Sequence, residues 1–127
     1  MPRVSLAFFT AATLCLLGGM IWGTIMGATE DFLLAPAHAH LNLVGWASLS
    51  LMGIFHALKG APGKLAWVNF FLSTGGVVIM IPSLAVYLSG DKSAHVGVAI
   101  GSVVVILGML TFLVTVLSAW ARPKAIA

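Results

Sequence analysis

Two histidines and an asparagine open the second apolar run of the chain, in the stretch His38-Ala39-His40-Leu41-Asn42. Imidazole binds zinc, copper, nickel and iron, and it also serves as an axial ligand of haem. Polar and ionisable residues are costly inside a membrane helix, and they mark functional sites there. Pro36 suits the first turn of a helix, which places both histidines within the first two turns. The sequence therefore predicts that this pair carries the chemistry of the chain.

The spacing of the two histidines limits what they can bind. Residues two apart on an α-helix are rotated by about 200° and separated by about 3 Å along the axis. His38 and His40 should therefore point to nearly opposite sides at the same depth, where each can serve a different site. His56 lies about 24 Å beyond His40 along the axis, too far to share a small site with it. It is interpreted as an interfacial residue at a helix end, and the same interpretation is open for His95. The spacing favours a large planar cofactor held between helices over a compact metal ion.

Asn42 and Trp46 follow on the face of His38 at intervals of four residues. Asn42 is placed to orient the imidazole or a neighbouring helix through a hydrogen bond, as groups behind metal ligands do. Trp46 is placed to pack on the edge of a cofactor. A simple interhelical hydrogen bond for Asn42 and plain packing for Trp46 are equally open alternatives.

The composition is that of an integral membrane protein. Hydrophobic residues make up 61% of the chain and charged residues only 7%, whereas about a quarter of a soluble domain is charged. The net charge of +3 comes from basic residues scattered at the ends of apolar segments. That pattern is typical of topology determinants and not of a nucleic-acid-binding surface.

The apolar segments predict an all-α protein with four transmembrane helices. Each is long enough to cross a hydrocarbon core of about 30 Å. The short connections between them favour an up-down bundle, in which residues 1–127 form a single transmembrane domain. The predicted helices are Val4–Ala28, Pro36–Leu58, Leu65–Ser89 and about Ala94–Ala121.

The basic residues predict the orientation of the bundle. Only Lys92 falls on the side of the membrane that carries His38, His40 and His95. The positive-inside rule places both termini in the cytoplasm and these three histidines near the outer face. In a bacterium the chain would be a multi-pass protein of the inner membrane, with the histidine pair on the periplasmic side. The cytoplasmic basic residues are Arg3, Lys59, Lys64, Arg122 and Lys124.

Small residues at helical spacing predict where helices approach closely. Gly19, Gly23 and Gly27 form one stripe, and Gly97 and Gly101 form another. Such stripes allow tight packing of helices in lipid. Packing within one chain is the favoured interpretation of each stripe, and a subunit contact through one of them stays open.

The stretch from His38 to Gly45-Trp46 resembles the haem-ligand helix of haem–copper oxidase subunit I. It is most similar to the C-family of high-affinity cytochrome c oxidases, in which H-x-H is followed by a short spacer and a Gly-Trp pair. The whole chain also resembles small bacterial four-helix proteins described as oxidase-subunit-I-like. In that superfamily the two histidines of the motif serve two haems, one on each side of the helix.

The resemblance also implies an assembly. Subunit I has three arcs of four helices, and this chain resembles one arc, so a homotrimer would rebuild the whole. Each interface would then hold one haem b, ligated by His38 of one protomer and His40 of its neighbour. His95 is an alternative ligand at the same depth, and Lys92 is placed to neutralise a haem propionate.

The chain departs from the oxidases at the copper centre. It has no His-His pair, and Gly60 stands four residues after His56, where many oxidases have tyrosine. Full oxidase turnover is therefore not expected, and electron transfer through bis-histidine haem is the favoured function, with a redox protein or a quinone as the exchange partner. The alternatives are a membrane protein that binds copper or zinc through His38, His40 and His95 of several subunits, and a structural helper subunit of a respiratory complex.

Overall fold

The computed structural model describes residues 1–59 and 63–122. It confirms an all-α protein with four helices long and apolar enough to cross a membrane, and the described residues contain no strand. Every helix end lies within two residues of its predicted position. Lys124, which the orientation argument uses, lies outside the described residues. The helices are α1 (Arg3–Thr29), α2 (Ala35–Lys59), α3 (Lys64–Leu88) and α4 (Lys92–Ala121).

The connections at the end of the bundle where α2 and α4 begin are short and locally ordered. Helix α1 ends at Thr29, and the next residue, Glu30, has a left-handed backbone with φ 53°. After α3, Gly90 has φ +116°, a conformation that favours glycine. Asp91 then accepts hydrogen bonds from the backbone N–H and the hydroxyl of Ser93 in the turn that starts α4. These two bonds lower the pKa of the Asp91 carboxyl, and the bond from the Ser93 hydroxyl has the larger effect.

Helix α2 changes its geometry directly after His40. Residues Ala35–His40 are α-helical, Leu41–Ser48 form a π-helix, and Leu49–Lys59 are α-helical again. The Ser48 hydroxyl donates to the Leu43 carbonyl 2.9 Å away, five residues back, as the wider turn allows. Residues beyond the start of the π-helix, such as Trp46, therefore lose the α-helical phase that the sequence argument assumed for them.

Both glycine stripes are used within the chain. A Cβ at Gly19 would overlap Asn42, and one at Gly23 would lie 2.9 Å from His38 Nε2. Because these two glycines have no side chain, α2 can pack closely on α1. A Cβ at Gly101 would lie 2.6 Å from the Met80 backbone. Helix α4 thus packs directly on the backbone of α3, and the favoured interpretation of the stripes agrees with these contacts.

The outer surfaces of the helices are apolar. Helix α4 packs mainly on α3, and only 11% of its most apolar window is buried. Large side chains such as Ile106 and Leu110 are more than half exposed along it. An apolar exposed surface on helices of this length is the surface that a bilayer covers.

Candidate functional site

His38 points into the contact between α2 and α1. Its Nε2 lies 2.9 Å from the carbonyl oxygen of Gly19. A carbonyl only accepts hydrogen bonds, so Nε2 carries the proton and donates it. The half-buried ring also meets Trp22 edge-to-face at 6.0 Å between centroids. The nitrogen through which His38 would most simply reach a cofactor is therefore bonded to the backbone of its own chain.

Asn42 lies beside His38, as the interval of four residues predicts. Its Nδ2 donates to the His38 carbonyl at 3.2 Å and lies 3.2 Å from His38 Nε2. Both side chains border an open groove along α1 that also contains Leu16, Met20 and Thr24. His38 and Asn42 thus place two polar side chains against Gly19 and Gly23 of α1.

His40 leaves the same helix on its exposed side. Its Nδ1 lies 2.7 Å from the carbonyl oxygen of Pro36. Because that oxygen accepts, Nδ1 carries the proton and the neutral ring presents a lone pair at Nε2. Within the described part of the chain, Nε2 has no hydrogen-bond partner. Metal-bound histidines usually have this arrangement, with the other ring nitrogen donating to a backbone carbonyl or a carboxylate.

His95 has the same arrangement at the start of α4. It is exposed, and its Nδ1 lies 2.9 Å from the carbonyl oxygen of Lys92. It borders an apolar groove of about 330 Å³ with Leu84, Tyr87, Val98 and Ala99. The ammonium of Lys92 lies 4.1 Å above the centroid of the Tyr87 ring and so places a positive charge beside this groove.

Trp46 does not share the surroundings of His38. It is half-buried against the core cluster that includes Phe8, Leu49 and Met52. The intervening π-helix turns the chain out of α-helical phase, so an interval of four residues no longer keeps one face. The structure places Trp46 in packing contacts and not along the groove of His38 and Asn42.

The interpretation of His56 as an interfacial residue is wrong. Its side chain is only 5% exposed, and its ring stacks on Phe8 at 5.4 Å between centroids. Its Nε2 lies 3.1 Å from Asn69 Oδ1, and Asn69 Nδ2 donates to the Gly108 carbonyl at 2.8 Å. Sequence reasoning overlooked Asn69, although an asparagine in the apolar run of α3 signals a buried polar partner.

The histidines of one chain do not form a compact metal centre. Among residues 1–59 and 63–122, no group of three or more His, Cys, Asp or Glu side chains is placed to hold an ion. A copper or zinc site built from His38, His40 and His95 would therefore need more than one copy of the chain.

The fold and these sites define a multi-pass, four-helix membrane protein with two exposed, carbonyl-anchored imidazoles at one end of the bundle. No protein-family model, curated protein or solved structure matches the chain. The resemblance to haem–copper oxidase subunit I therefore depends on the residues between His38 and Trp46 and on the helix count.

Proposed function

We propose that this protein binds haem b between copies of the chain and transfers electrons through it. The observation that carries the proposal is shared by His40 and His95. Each is exposed and has its Nδ1 anchored on a backbone carbonyl, which leaves Nε2 to act as a ligand. Axial imidazole ligation uses a nitrogen in this state. The residues present therefore fit a haem iron.

Two ligand pairs follow from the sequence, and the hydrogen bonds discriminate between them. Pairing His38 with His40 requires His38 Nε2 to leave the Gly19 carbonyl, against which α1 packs it. Pairing His40 of one copy with His95 of the next requires no such change. We therefore propose that His40 and His95 would hold the haem iron. His38 and Asn42 then act as positioning residues that hold the start of α2 on α1.

Separate copies suit this pairing because both ligands lie on the outer surface of the four-helix unit. In a ring of copies with cyclic symmetry, His40 of each protomer would face His95 of its neighbour. The resemblance implies a ring of three copies. The apolar groove beside His95 offers a surface for a planar ring, and the Lys92 ammonium offers a counter-charge for a carboxylate.

The chemistry of such a site is electron exchange. When bound, haem would supply a reversible one-electron couple, and its iron, held by the imidazoles of His40 and His95, would leave no open position for oxygen. The chain itself holds the rings, fixes their tautomer through the Pro36 and Lys92 carbonyls, and offers an apolar groove beside His95. We place the protein in the bacterial inner membrane, with His38, His40 and His95 at the periplasmic side and a redox protein or a quinone as partner.

An absorption spectrum of the protein, purified after expression with haem supplied, tests the proposal. We expect a Soret band and the narrow reduced α-band of six-coordinate iron. His40→Ala and His95→Ala should each abolish the six-coordinate spectrum. His38→Ala is the matched control, because it should keep that spectrum while it weakens the contact between α1 and α2.

The opposite results would redirect the assignment. Loss of the spectrum in His38→Ala but not in His95→Ala would establish the His38–His40 pairing. A protein without a Soret band but with stoichiometric copper or zinc would support the metal-binding alternative. A protein with neither cofactor, and with normal stability in all three variants, would leave the structural helper subunit.

A further inference from the structure

A cavity of about 220 Å³ separates α2 from α4 in the middle of the bundle. Towards the Lys59 end of α2 the same two helices touch, where Phe55 and Phe112 meet edge-to-face at 5.3 Å between centroids. Helix α3 forms the floor of the cavity through Ser73. The remaining wall residues are Val44, Ser48, Leu49, Met52, Val105, Ile106 and Met109.

The hydroxyl protons of the two serines in this wall are already engaged. Ser48 donates to the Leu43 carbonyl at 2.9 Å, and Ser73 donates to the sulfur of Met52 at 3.5 Å. A water molecule needs two to four polar partners in its cavity, and this wall does not supply a free donor from either serine. The wall therefore offers water at most the acceptor oxygens of these two serines, and its other side chains are apolar.

We propose that the cavity is a binding site for a small apolar molecule without hydrogen-bonding groups, in the size range from xenon to benzene. An engineered apolar cavity of about 150 Å³ in another protein stays dry and binds either of these molecules. The sulfurs of Met52 and Met109 add polarizable contacts that favour such ligands. The site is independent of the haem proposal.

The entry path lies on the lipid side. Ile106 is 65% exposed and Met109 is 46% exposed, so the wall of the cavity on α4 opens towards the hydrocarbon of the bilayer. Apolar solutes partition into that hydrocarbon because they leave water for it. A ligand can therefore reach the cavity without crossing a polar surface.

Xenon titration of methyl-labelled protein in lipid nanodiscs tests the site. We expect shifts at the methyl groups of Val44, Val105 and Met109 that saturate with xenon pressure. Leu14 and Leu17, which are 64% and 55% exposed on α1, provide the lipid-facing controls and should respond weakly and linearly. A response at the cavity methyls that matches these controls would overturn the proposal.

Variants that fill the cavity provide a second test of the proposal. Val44→Phe should abolish the saturable response at Val105 and Met109, whereas Leu43→Phe, on the 65% exposed neighbour, should preserve it. Ser48→Leu fills the same space if Val44→Phe does not fold. Contacts from lipid methylenes to Val44 and Val105, with no saturable xenon response, would assign the cavity to an acyl chain and overturn the small-molecule site.

Discussion

At the scale of single residues, the hydrogen bonds of the four histidines separate their roles. His40 and His95 bond through Nδ1 to carbonyls of their own helix start, whereas His38 and His56 bond through Nε2 to another helix. The first pair is presented outward and the second pair joins helices. A sequence gives the positions of imidazoles, but the nitrogen that each one uses depends on neighbours that only the fold supplies.

The buried contact between His56 and Asn69 gives a stability prediction. Asn69→Leu leaves the His56 N–H without its partner, and an unsatisfied buried group costs about 1–3 kcal/mol. It also removes one bond to the Gly108 carbonyl, which still accepts from the Thr111 hydroxyl. We expect a lower free energy of unfolding in SDS titrations. Adding His56→Phe to Asn69→Leu should recover part of the loss, because the unpaired imidazole is then removed. A double variant that is less stable than Asn69→Leu would argue against this account.

Asp91 gives the pH-dependent prediction. Its pKa is lowered in the folded protein by the hydrogen bonds from Ser93, so its contribution is present above the unfolded pKa of about 3.9. The contribution is lost as the pH falls through the lower, folded value. We expect the protection factor of the Ser93 amide, its exchange rate relative to the intrinsic rate at the same pH, to fall below that pH in nuclear magnetic resonance measurements. In Asp91→Asn the protection factor should not change over the same range.

At the scale of the helices, the spans were predictable and the irregularity in α2 was not. Long apolar runs bounded by Pro36, Lys59, Lys64 and Gly90 define where helices begin and end, because few alternatives satisfy the backbone in lipid. The π-helix over Leu41–Ser48 has no comparable signal. A helix that is apolar nearly all round lacks the polar face whose period would reveal a wider turn. For this reason the sequence wrongly predicts that Trp46 shares the face of His38.

The glycine stripe of α1 gives the prediction at this scale. Gly19→Ala places a methyl group on the Asn42 amide. Overpacking of this kind costs about 1–3 kcal/mol. Gly27→Ala is the matched control, since a Cβ there meets nothing within 4 Å. The control should be neutral or stabilising by up to about 1 kcal/mol, because alanine favours the helix. Equal losses in SDS unfolding for both variants would contradict the packing role of Gly19.

At the scale of the whole molecule, one chain has two exposed histidines, His40 and His95, and no group of side chains placed to hold an ion among its described residues. The four-helix fold explains their common location, because short connections place the starts of α2 and α4 at the same end. Helix number could be predicted from the sequence, whereas the roles of the histidines as ligands stay a prediction. The proposed division of ligands between copies rests on the resemblance and on the exposure of His40 and His95.

Mixing two variants tests that division. Chains carrying His40→Ala and chains carrying His95→Ala are co-expressed with different tags and purified through both. Interfaces between the intact His40 of one chain and the intact His95 of the other should restore part of the six-coordinate haem spectrum. Each variant expressed alone should lack it. If both ligands came from one chain, the mixture would show no recovery.

The wide turn in α2 also bears on how this helix tolerates changes in length. An α-helix rotates every following side chain by about 100° when one residue is lost. Between Leu41 and Ser48 the helix already holds more residues per turn than an α-helix does, so a single deletion can be absorbed by tightening. His38 and His40, which precede the π-helix, and Phe55, which follows it, would then keep nearly the same relative orientation. A deletion before Asn69 in α3 would instead rotate its side chain away from His56 and the Gly108 carbonyl.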